Sequence, residues 1–170
     1  VCWLVYKREI SRQSLSQVLG TGYRGAVRLS DPGSHPSWEH WRDGFLQAAE
    51  DMGLAVRKVQ PGEGVALETR LAQTMTGVQA PLPMICADTT AVYAAYHVAC
   101  QQGIRVGRDV SLLGMGLLPR TMPLCPAISA YRLDIREMVA GRIIRSLEGA
   151  AAIPLTDELA YHWSPGGSFV

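Results

Sequence analysis

Short apolar runs alternate with amphipathic stretches along most of the chain, the pattern of β-α units built around a mainly parallel sheet. Trp38, Trp41, Phe45, Ala48 and Met52 recur at steps of three and four, which puts them on one face of a helix from near Ser37 to a stop at Gly53. Leu67, Leu71, Met75 and Val78 mark another helix, and Val92, Ala95 and Ala99 form the buried stripe of a third that Gly103 ends. Residues 26–29, 55–59, 83–87 and 110–114 read as the intervening strands, with 83–87 apolar throughout and Asp88 placed where strand yields to helix. The expected fold class is therefore α/β, a mainly parallel sheet flanked by helices.

The two ends carry further expectations. Val1-Cys2-Trp3-Leu4-Val5-Tyr6 reads as a buried strand running into Lys7 and Arg8, before a helix that ends near Leu19 and is closed by Gly20 and Gly22. The Pro- and Leu-rich stretch 117–127 reads as a loop. Asp134 and Glu137 form a capping-box pattern for a last helix through Leu147, with Ile135, Met138, Val139 and Ile143 on its apolar side. Residues 158–163 read as a final extended stretch.

Composition narrows the function classes. A length of 170 residues suits one core, as a single domain or one lobe of a larger one. Sixteen Lys and Arg against fifteen Asp and Glu leave a formal charge of +1, too balanced for the basic footprint that phosphate backbones demand. Any contact with nucleic acid is expected to be made elsewhere. Cys2, Cys86, Cys100 and Cys125 are too far apart for a metal spacing or a disulfide framework, so reduced thiols and a cytoplasmic setting are expected. No apolar stretch is long enough to span a bilayer, and no membrane partner is expected.

Candidate chemistry is thin. Gly20-Thr21-Gly22-Tyr23-Arg24-Gly25 spells GxGxxG, but a dinucleotide fingerprint needs these glycines after a strand and opening a helix. Here they close a helix and lead into a strand, which reads as a helix stop. His35 and His40 lie near Asp31 and Asp43 without HxxxH or HExxH spacing, so no metal site is expected, and His97 and His162 fit surface or packing roles. There is no GxSxG elbow and no cationic neighbour to activate a cysteine, so no catalytic residue, enzyme activity or cofactor is expected. Taken by themselves, Trp38 and Trp41 read as plain core residues on their stripe.

The stretch Gly103-Ile104-Arg105-Val106-Gly107-Arg108-Asp109-Val110-Ser111-Leu112-Leu113-Gly114 resembles the "GLRVPEDVSVVGFDD" signature of lactose-repressor-type transcription regulators. Ile85-Cys86-Ala87-Asp88-Thr89 resembles their "FCANDxxA" strand end, Trp41-Arg42-Asp43-Gly44-Phe45 their "RxxGF" helix, and Gly22-Tyr23-Arg24 their "GHRxI" turn. Cys125-Pro126-Ala127-Ile128-Ser129, followed by Asp134, resembles "PPLTT" and what comes after it. The spacing between these motifs matches the family pattern with little insertion, so the resemblance covers nearly all of the chain.

The resemblance implies the second lobe (1–133 and 156–170) of a two-lobed, periplasmic-binding-protein-like (type I) sensor. A returning helix (134–150) would pack on a first lobe that these residues do not include. It implies a small-molecule effector, a homodimer, and DNA contact only through a headpiece outside this chain, of lactose-repressor or gluconate-repressor type. An exported sugar-binding protein serving a transporter shares the fold and is the alternative class. Effector contacts fall by position on Ser37, Trp41, Asp88 and Gly116, and dimer contacts on Tyr93, His97 and Leu124, although Tyr93 and Leu124 also fit ordinary packing. Trp41 stands where the family has arginine, Asp88 where it has asparagine, and Gly116 where it has the first aspartate of its "DD" pair. These departures imply a more apolar, stacking-capable wall that takes a sugar-like or planar ligand, or a cleft that has become structural.

Overall fold

A computed structural model describes residues 2–23, 25–30, 36–62, 64–77, 81–115, 124–133, 144, 147–148 and 161–169; for 2–9, 36–41, 133 and 161 the description extends to the backbone only. Ten elements follow in chain order: α1 (Cys2–Gly20), β1 (Val27–Ser30), α2 (Pro36–Asp51), β2 (Val56–Val59), α3 (Leu67–Met75), β3 (Leu82–Cys86), α4 (Thr89–Gln101), β4 (Val110–Met115), β5 (Ser129–Leu133) and β6 (Tyr161–Ser164). The strands form one sheet in the order β2-β1-β3-β4-β5-β6, in which only β6 runs antiparallel. The expected α/β class and mainly parallel sheet are what the structure shows.

Helices cover both faces of the sheet. On one, Ile10, Leu15 and Val18 of α1 and Phe45, Ala48 and Ala49 of α2 pack on Val27, Leu29, Ile85 and Leu113. On the other, Leu67, Leu71 and Met75 of α3 and Val92, Ala95 and Ala99 of α4 pack on Met84, Cys86, Val110 and Leu112. Coverage of both faces explains why β3 and β4 are buried at every position. β2 lies at the sheet edge, and its exposed Arg57 and Lys58 are the charges that discourage further strands from pairing there. Gly53 and Gly103, at φ of 68° and 67°, take the left-handed turn that stops α2 and α4. In each case the following residue donates back into the helix, Leu54 to Ala49 O and Ile104 to Ala99 O, both at 2.8 Å.

One expectation at the amino end is corrected. The segment read as a strand belongs to α1, which runs from Cys2 to Gly20 without a break; Val1 lies outside the described residues. A short apolar run has no periodicity that separates strand from buried helix, and no Gly or Pro punctuates the passage from Tyr6 to Lys7. With no breaker, helical hydrogen bonding propagates backward at little cost. Gly20 and Gly22 do close this helix, with Gly22 N donating to Leu19 O at 3.0 Å, so GxGxxG is a helix stop.

The resemblance-bearing stretch 103–114 is a turn stapled onto a strand. Asp109 Oδ2 accepts from Arg105 N and Nε, and Oδ1 from Nη2, each at 2.9 Å. The Arg105 side chain first and its backbone N–H second hold the Asp109 carboxyl down at about 2, from an ordinary value of 3.8. A depressed carboxyl stabilises the fold above its unfolded value, and that contribution disappears as pH falls through the folded one. Asp109→Asn is therefore expected to lower Tm by a constant amount above about pH 4.5, with the gap closing as pH falls toward about 2. A gap independent of pH in paired thermal melts would refute this role.

The tail completes the sheet at its amino end. Ser168 is fully buried; its N–H donates to Ala127 O at 3.2 Å, and Leu112 N donates to Ser168 O at 2.7 Å. Its hydroxyl donates to Leu112 O at 2.7 Å and accepts from Ser129 N at 2.8 Å. β5 joins β4 only from Ser129 onward, so Ser168 occupies the place of a missing strand residue beside Leu112. The backbone of Gly167 passes so close to Gly107 that a Cβ on Gly107 would collide with the Gly167 carbonyl.

Candidate functional site

Chain order makes one place on this sheet special. From β1 the chain crosses through α2 to β2 on one side, and from β3 it crosses through α4 to β4 on the other. The connections diverge between β1 and β3, and a crevice opens there beyond the carboxyl ends of the strands. One lateral row marks that edge: Val59, Ser30, Cys86, Gly114, Ala130 and Ser164 are neighbours across the six strands. Ala87 N donates to Ser30 O at 2.9 Å and carries the β1–β3 pairing one residue further.

Asp88 stands immediately beyond this row. Its backbone is extended (φ −150°, ψ −179°), and Oδ1 accepts from Ala91 N at 2.7 Å, capping α4. A carboxylate here meets the positive end of the helix dipole. Burial first, and the Asp88 charge second, push the Cys86 thiol above the usual thiol range. Both effects favour the neutral thiol over the nucleophilic thiolate.

The other positions expected at the cleft are placed unequally. Ser37 and Trp41 belong to the first turns of α2, which begins just beyond the carboxyl end of β1, so the backbone brings both to the same edge as Asp88. Gly116 lies outside the described residues, and β4 runs to Met115 at that edge. Of the expected dimer positions, Tyr93 and His97 are exposed on α4, while Leu124 is partly buried against the α3/α4 core. Between them, Tyr96 turns inward and donates to Pro126 O at 2.7 Å, and burial pushes its phenol up to about 12. The last helix and its apolar positions Ile135, Met138, Val139 and Ile143 lie outside the described residues; Ile144 and Leu147 are exposed.

Two features of this edge escaped sequence reasoning. Ser30 is fully buried with its hydroxyl unpartnered, at the end of β1 where the connections diverge. Tyr131 and Trp163 pack ring on ring, with centroids 5.0 Å apart and planes at 49°, behind Met115. Trp163 reaches Tyr131 through the β5–β6 pairing of distant segments, which no local pattern announces. Among the described residues, no group of three or more His, Cys, Asp and Glu is placed to hold a metal ion, and no helix is long and apolar enough to cross a membrane.

A doubly wound sheet leaves its crevice at this divergence point, where open α/β folds take their ligands. Residues 16–169 match the periplasmic binding protein-like domain, and the chain belongs to that family. No curated protein matches it in sequence. Among solved structures it resembles a LacI family transcriptional regulator from Arthrobacter sp. in complex with lactose (TM-score 0.74, 15% identity, 96% of this chain and 64% of that one). It also resembles the Escherichia coli transcriptional repressor ascG (TM-score 0.71, 15% identity, 97% and 62%). A LacI family regulator from Bifidobacterium animalis subsp. lactis is similar as well (TM-score 0.70, 18% identity, 96% and 61%). At these identities the shared property is the fold, and the chain spans less than two thirds of the length of each regulator.

Proposed function

We propose that this chain is the ligand-sensing and dimerisation part of a DNA-binding transcription regulator. A small sugar-like or planar molecule is taken up at the carboxyl edge, in a cleft completed by another lobe. The observation that carries this reading is the placement of Asp88 as cap of α4 at the divergence point, on the edge from which α2 also starts. Asp88 accepts from ligand hydroxyls and Trp41 stacks on the ligand face, with Gly116 contributing from beyond β4. Tyr93 and His97, exposed four residues apart on α4, belong with Leu124 to a two-fold contact between copies. The helix within 134–150 packs on the first lobe, so that closure of the cleft is felt at the dimer. The mechanism is a shift of population between lobe arrangements and involves no chemical step.

A thermal-shift screen of sugars and nucleosides on the intact two-lobed protein tests the proposal, because a ligand at a hundred times its Kd adds about 2.7 kcal/mol to stability. Trp41→Ala is expected to weaken a confirmed hit by about three- to tenfold, the worth of one aromatic contact. An unchanged Kd would rule out stacking.

A further inference from the structure

The carboxyl edge of the sheet holds a second charge besides Asp88. Cys86 and Ala130 lie in one lateral row, on either side of Gly114, and both pack in the core on the α3/α4 side. Side chains alternate along a strand, so Asp88 and Arg132, each two residues further on, stand on that same side and at one height beyond the row. Only β4 separates β3 from β5, which sets the two backbones two strand spacings apart, roughly 10 Å. An acid and a base flank one gap.

Arg132 is partly buried, its Nε fully so, and that nitrogen makes no hydrogen bond. Among the described residues no carboxylate, Asp88 included, pairs with it. Its cross-strand neighbour is His162, which is exposed and brings no negative charge. A guanidinium keeps its charge in any surroundings, and a buried donor left unmet lowers stability. Folding alone gives no reason to hold such a group here; an acceptor delivered by a ligand does. Across β3 from it, on the same side of the sheet, the fully buried Ser30 hydroxyl also lacks a partner, so unmet polar atoms lie on both sides of Asp88.

We infer that Arg132 makes the cleft selective for an acidic ligand, a small polyhydroxy compound that carries a carboxylate or a phosphate. This role rests on the function proposed above and narrows it from sugar-like molecules to acidic ones. Ligand hydroxyls donate to Asp88, while the anionic end accepts from Arg132, whose planar fork of donors matches two oxygens of either acid group. Because the two protein charges are opposite and set apart, the ligand's anion is drawn to one end of the gap and repelled from the other, which fixes its orientation. A neutral sugar leaves the Arg132 donor unmet.

Titration calorimetry on the intact two-lobed protein at fixed ionic strength tests this, with glucuronate, glucose 6-phosphate and glucose as probes. One of the two acids should bind at least about tenfold more tightly than glucose, as a hydrogen bond to a charged group provides, and the tighter of them tells carboxylate from phosphate. Arg132→Gln should weaken that acid by about tenfold and change glucose by less than about twofold. Arg132→Lys, which keeps the charge and loses the fork, should fall between parent and Arg132→Gln. Since Arg132 has no partner to lose, unliganded Arg132→Gln should melt no lower than the parent; a lowered Tm with acid binding unchanged would assign Arg132 to a carboxylate of the other lobe and overturn the role. Failure of both acids to bind, or an acid affinity equal to that of glucose, overturns it as well. Asp88→Asn distinguishes the two levels of the reading. Binding that weakens in Asp88→Asn but not in Arg132→Gln keeps the cleft and removes its acid selectivity, whereas binding indifferent to both variants removes the cleft itself.

Discussion

Ser168→Ala is expected to cost about 2–4 kcal/mol of folding stability, more than most single-atom deletions do. The hydroxyl serves two buried backbone groups at once, donating to Leu112 O and accepting from Ser129 N. Alanine fills the same space without either function, and each buried group left unsatisfied costs about 1–3 kcal/mol. Ser168 is fully buried, so solvent cannot take over either role. Urea unfolding followed by circular dichroism measures the loss, and Ser168→Thr, which keeps the hydroxyl, serves as the control for steric fit. A loss below about 0.5 kcal/mol would mean that the tail lies on the sheet without closing it.

That closure was hidden in the sequence for a physical reason. Ser164-Pro165-Gly166-Gly167-Ser168 has the composition of a loop, and what makes it structural is the set of strand groups left open on β4 and β5, a non-local property. β5 was missed on the same ground, since Ser129–Leu133 is recognisable only through its pairing with β4 and with the distant β6. Elements whose own side chains carry the signal were legible instead. The stripe from Trp38 to Met52 anticipated α2, and Gly53 its stop. The apolar run 83–87 anticipated β3, buried on both faces. α1 shows the limit of that logic, because an apolar run of six residues fits a strand and a buried helix equally.

The candidate site was legible to the same extent. Asp88 could be placed because the boundary between an apolar run and a helical stripe is a local signal, and the cap it forms follows from that boundary. Ser30 carries no such mark. Its burial depends on β2 and β3 closing on either side of β1, and nothing in residues 26–30 announces which strands those will be.

Asp88 also permits a test that separates ligand recognition from folding. Asp88→Ala removes the acceptor for Ala91 N and is expected to cost about 1 kcal/mol of stability, as loss of an N-cap does. Asp88→Asn should be nearly neutral, because asparagine caps as well as aspartate does. A carboxylate has about four acceptor sites, so it can cap α4 and receive a ligand hydroxyl together. In the asparagine variant the carbonyl oxygen stays with Ala91 N, and an NH₂ donor takes the place of the second oxygen. A hydroxyl that approached as a donor then meets another donor. Loss of a charge-assisted hydrogen bond is worth about 1.5–3 kcal/mol, so Asp88→Asn is expected to weaken a hydroxyl-bearing effector by roughly 10- to 150-fold at nearly unchanged Tm. Paired calorimetry and melting curves on the two variants give both readings. An asparagine variant that binds the same effector as tightly as the parent would remove Asp88 from the recognition surface and leave it as the cap of α4 alone.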